Sequence, residues 1–185
     1  MIWGDGGTYG AWADLLDRWA RREAVDPAAF PPLVREQFDG DTWARLTNRI
    51  TTALNDRLIA WAGATSRGIA SAKGEFAFGQ ALAQARTGLR TVRGFACSPA
   101  LPEELRSQLV SMVENQVRQA QAQLEEQAQK LTRQGMDRRD AEQRLRAIRD
   151  NAFTAILAET ASPAAAPQWQ QPGITNTPRR RIIPG

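Results

Sequence analysis

The chain has 185 residues, 42% of them hydrophobic and 24% charged, a balance that suits one soluble globular domain with a single core. It carries no histidine and one cysteine, Cys97, which excludes an intrachain disulfide and removes the commonest general base and metal ligand together, so neither a zinc site nor any cofactor is expected. The net charge of +4 is unevenly spread: residues 63–100 carry +4 and 162–185 carry +3, while 1–62 and 101–161 carry −2 and −1.

Residues 1–10 form a glycine-rich lead-in in which Trp3 and Tyr9 can dock a ring. They lack the basic and apolar regions of a secretory signal, and a cytoplasmic home is expected. No apolar run approaches the roughly 20 residues needed to cross a bilayer. Thr8 is placed to cap a helix running to Arg22, with Trp12, Leu15, Leu16 and Trp19 on its inner face. Pro27, Pro31 and Pro32 punctuate the next segment, which predicts a bend and one short helix over PPLVREQF. A third helix starts at Asp41 and lines up Trp43, Leu46, Ile50, Leu54, Leu58 and Trp61. Trp12, Trp19, Trp43 and Trp61 are expected to meet in one N-terminal core; a tryptophan-lined ligand pocket is the alternative.

Residues 62–97 are rich in glycine and alanine. Gly63, Gly68, Gly74 and Gly79 each cost a helix interior about 1 kcal/mol relative to alanine, which predicts a break between Gly63 and Gly74. From Phe76 the helical period resumes through Phe78, Leu82, Ala85, Leu89, Val92 and Ala96, ending near Gly94.

Residues 101–160 read as two long antiparallel helices. The first carries Val110, Val113, Val117, Ala120, Leu124 and Leu131, with Gln127 completing the heptad spacing. Gly135 stops it, Asp137 starts the second, and Ala141, Leu145, Ile148, Ala152 and Ile156 continue the pattern. A connection this short implies antiparallel neighbours. Leu105, Leu109, Met112, Phe153 and Leu157 widen the apolar surface at the base, where the N-terminal helices should dock, and the Gly135 end should project into solvent. After Glu159 the chain turns proline-rich and aperiodic, the composition of a disordered tail.

The expected fold is therefore all-α. An N-terminal and central helical region (1–100) packs on the base of a long helical hairpin (101–160) to make one structural domain, followed by a disordered basic tail (161–185).

No catalytic pattern is present. GDGG at 4–7 lacks the strand, helix and lysine of a phosphate loop; Asp137 and Asp140 are capping residues; Cys97, near Arg93, suits a packed small side chain better than a nucleophile. Three features can carry interactions. In the tail, Arg179, Arg180 and Arg181 precede Ile182 and Ile183, a pattern that can add a strand to a partner's sheet edge while the arginines meet acidic groups, with Trp169 as an aromatic anchor. The plain alternative is a solubilising tail. Arg86, Arg90 and Arg93, spaced i, i+4 and i+7, make a basic stripe that can grip an anion or pair with carboxylates such as Glu103 and Glu104; the structural pairing is favoured. Gln108, Gln116, Gln119, Gln121, Gln123, Gln127 and Gln129 give the first hairpin helix a face on which two copies can meet without charge repulsion, or one that water simply solvates.

The expected role is non-enzymatic: an interaction or assembly protein that associates through its hairpin, homo-oligomerisation included, and docks a protein partner through its tail. A nucleic-acid-associated protein using the arginine stripe and the basic tail is the alternative.

Overall fold

The computed structural model describes residues 6–133 and 137–159. Among these there are six α-helices and no strand, so the fold is all-α: α1 Gly6–Ala20, α2 Gly40–Ser71, α3 Gly74–Ala96, α4 Glu103–Arg133, α5 Arg138–Asp150 and α6 Thr154–Ala158. Trp3, Gly135 and the tail lie outside the described residues, as does the side chain of Leu131. α2 packs along α3, α4 lies against both, α5 pairs with α4 and touches α3, and α6 is inserted between α3 and α4.

α1 begins earlier than its sequence suggests, and Thr8 lies within it rather than capping it. It also ends two residues before Arg22. Arg22 N donates to Trp19 O at 3.0 Å and Glu23 N to Arg18 O at 3.1 Å, the paired bonds of a Schellman termination. That termination needs a left-handed residue at Arg22, whose φ is +65°. The proline segment holds two 3-10 turns, Pro27–Ala29 and Arg35–Gln37, in place of the expected short helix. It is anchored by Trp12 Nε1, which donates to Pro31 O at 3.0 Å, and by Leu33 N, which donates to Ala100 O at 2.8 Å.

α2 corrects the expected break. It starts behind Asp39, whose carboxylate accepts from Thr42 N at 2.8 Å, and runs unbroken through Gly63 and Gly68. The buried row of Leu54, Leu58, Trp61, Thr65 and Ile69 continues past both glycines, and its burial outweighs their propensity cost. At Gly68 an added Cβ would make only an ordinary contact, 3.8 Å from the Ala81 Cβ of α3, so packing does not require the glycine there. The chain turns only at Ala72 and Lys73, and Gly74, at φ +80°, supplies the conformation that other residues adopt at a cost.

Each of these four tryptophans has a phenylalanine as its ring neighbour. Trp12 lies 4.5 Å from Phe30, Trp19 4.2 Å from Phe95, Trp43 6.1 Å from Phe38 and Trp61 5.4 Å from Phe153. Trp12, Trp19 and Trp61 are thus spread through one core, with the half-buried Trp43 packed against it, rather than gathered at the N-terminus. Trp61 in particular is shared with the far end of the chain.

Along α4 the buried row is Leu105, Leu109, Val113, Val117, Ala120, Leu124 and Ala128. Val110 is half-buried and Gln127 is exposed, so Ala128 takes the position expected for the amide. The partner helix is not continuous to Ile156. It stops at Asp150, where the Asn151 side-chain amide donates to Ala147 O at 2.9 Å and competes with the helical backbone. The freed Phe153 N donates to Oε1 of buried Gln121 at 3.0 Å. This redirects Phe153 and Ile156, 1% and 0% exposed, into the core between α3 and α4. Ala152 lies in the turn and not on the seam.

Candidate functional site

The arginine row on α3 meets the end of the described chain. Arg86 Nη1 donates to Ala152 O at 3.2 Å and Arg93 Nη2 to Leu157 O at 3.1 Å. Between them Arg90 holds Glu159 with two bonds, from Nε at 3.0 Å and Nη2 at 2.8 Å. The row therefore grips α6 from both sides, and its carboxylate partner is Glu159 rather than Glu103 or Glu104. The Arg90 bonds and the neighbouring positive charges hold the Glu159 carboxyl below the ordinary carboxylate range, and the same pairing raises the Arg90 guanidinium. Planar guanidinium groups suit this work because each can satisfy backbone carbonyls and a carboxylate while its stem covers apolar surface.

The glutamines of α4 differ in their surroundings. Gln121 is 7% exposed and structural, accepting from Phe153 N and donating to Glu125 Oε1 at 2.8 Å. Gln116 is half-buried, and Gln108, Gln119, Gln123, Gln127 and Gln129 are exposed. With Ser111, Asn115 and Ala122, also exposed, Gln108 and Gln119 form a stripe at steps of three and four that carries no charge. Charged pairs such as Glu114–Arg118 lie beside it. The tail residues Trp169, Arg179, Arg180, Arg181, Ile182 and Ile183 lie outside the described residues.

A third feature joins residues that no local pattern connects. α2 and α3 run antiparallel with a cleft of about 250 Å³ between them. Ala60, Ala64 and Gly68 form one wall and Ala81, Ala85 and Gly88 the other, with Trp61 and Val92 also lining it. Trp61 is fixed there because its Nε1 donates to Ala85 O at 2.8 Å. Gly88 makes room for that ring: a Cβ would lie 3.3 Å from Trp61 Cδ1.

Two arginines stand at one end of the cleft. Arg57 lies over the Trp19 ring, its Cζ 5.1 Å from the centroid, and Arg22 is its charged neighbour. Neither has a carboxylate partner among the described residues. Burial, with a smaller contribution from the Arg22 charge, lowers the Arg57 pKa from its ordinary value. Farther along, Thr65 is among the lining residues, but its Oγ1 is itself buried, out of reach of the cleft, and has no hydrogen-bond partner among the described residues. Sequence reasoning missed this site because Arg22 and Arg57 belong to different segments. The legible part was the small-residue spacing: Ala60, Ala64 and Gly68 recur every four residues, and Ala81, Ala85 and Gly88 answer them.

No group of three side chains able to hold a metal occurs among the described residues, and no described helix is long and apolar enough to cross a membrane. No family model matches the chain, and no curated protein or solved structure is significantly similar to it.

Proposed function

We propose that this chain is a non-enzymatic, cytoplasmic interaction protein that self-associates through the outer face of α4 and docks a protein partner through its basic tail. The observation that carries the reading is the uncharged stripe of Gln108, Ser111, Asn115, Gln119 and Ala122. Each amide offers a donor and an acceptor, so the same face on two copies is self-complementary, the requirement of a two-fold interface. Ala122 lets the backbones approach, and the absence of charge removes the repulsion that like faces usually meet.

Light scattering of the full chain over a range of concentrations tests this. A concentration-dependent dimer is expected, and N115E combined with Q119E should abolish it by setting like charges against each other. A wild-type chain that stays monomeric, or a charged variant that still dimerises, removes the α4 face from the mechanism. The tail reading rests on Trp169 and the run from Arg179 to Ile183. Deleting 162–185 should end partner capture, and unchanged capture excludes the tail. The nucleic-acid alternative would require Arg86, Arg90 and Arg93 to release α6, which favours the first reading.

A further inference from the structure

We propose that the α2–α3 cleft is a binding site for a small linear amphiphile with an anionic carboxylate head. The inference is independent of α4 and its self-association. Two properties of the cleft lead to it: its shape and its one-ended charge.

The cleft is long and narrow. Its lining runs from Arg57 to Gly68 on α2 and from Val92 back to Ala81 on α3. At 1.5 Å per residue each wall extends about 16 Å. Half of the lining residues are alanine or glycine, with Gln84 a polar side chain on the α3 wall, so the space is a slot between two helices that suits a chain better than a globular ligand. Its volume of about 250 Å³ lies below the range of ~300–1,000 Å³ common for drug-sized ligands.

The charge is all at one end. Arg57 and Arg22 bring two like charges together without a carboxylate, an arrangement that an incoming anion relieves. The backbone contributes to it: Arg22 occupies a left-handed position where glycine is the ordinary choice, and an arginine there keeps a guanidinium at the cleft mouth. A carboxylate matches the planar fork of an arginine.

Calorimetric titration of the full chain with decanoate, below its micelle concentration, tests the site. Decanoate should bind, while decanol, which lacks the anion, and acetate, which lacks the chain, should bind at least about tenfold more weakly. R57Q and R22G should each weaken decanoate binding about tenfold. R22G should at the same time raise Tm by relieving the positive φ, so weaker binding cannot be assigned to unfolding. A64L should block the chain without touching the head. No binding of decanoate, equal binding of decanol, or indifference to R57Q or A64L would each overturn the proposal.

Discussion

Gly88 shows how a single missing methyl sets a helix pair. Gly79 lies on the same helix, yet a Cβ added there would meet nothing within 4 Å, so the two glycines answer to different forces. At Gly79, alanine gains helix propensity with nothing to strike, and G79A should stabilise the fold by about 0.5–1 kcal/mol. At Gly88 the same gain is opposed by Trp61, which is held by its bond to Ala85 O and by Phe153 and cannot yield freely. Overpacking of this kind costs about 1–3 kcal/mol, so G88A should be net destabilising by about 1 kcal/mol. Urea denaturation of both variants checks the opposite signs. Neither difference was legible in the sequence, where every glycine in this region carried the same propensity cost. What separates them is the distance to a side chain on another helix.

At the scale of elements, α6 depends on α3 more than on itself. A helix of five residues has no stability of its own, and its position is set by the α3 arginines and by the bond from Phe153 N to Gln121. The Glu159 carboxyl is depressed in the folded state, chiefly by its bonds from Arg90. Its contribution is therefore complete above the ordinary value of 4.5 and is lost as pH falls through the lower folded value. E159Q should lower Tm at pH 7 by about 1–2 °C, a small effect because the pair is largely exposed. The gap between wild type and variant should close as the pH drops below 4.5. A constant gap down to acid pH would mean that Arg90 does not hold Glu159 in solution. The end of α5 was illegible for a related reason. Ala141, Leu145, Ile148 and Ala152 keep a helical step, but Gln121, 32 residues earlier, bonds Phe153 N and makes the break favourable.

Over the whole molecule, one core runs from Trp12 to Ile156. F153A removes a ring that is 1% exposed and packed on Trp61, and should cost about 3–5 kcal/mol by chemical denaturation. F76A, at a site 79% exposed, should change stability by less than about 0.5 kcal/mol. The all-α class was legible because long stretches keep a helical period, as in Trp43 to Trp61 and Leu105 to Leu124. The cleft was legible only in its small-residue walls. Its charge was not, since Arg22 and Arg57 become neighbours only after α1 ends in a left-handed turn and packs against α2.

The placement of α6 also has a consequence in time. Arg90 and Glu159 are 69 residues apart, and α6 is the last described element in the order of synthesis. α2 and α3, joined by a two-residue turn, can pair as soon as both have emerged from a ribosome. Trp61 must then wait, its Phe153 neighbour still unmade, until almost all of the domain has been translated. During that interval the nascent chain shows an apolar face to the cell, and its exposure ends only when α6 arrives.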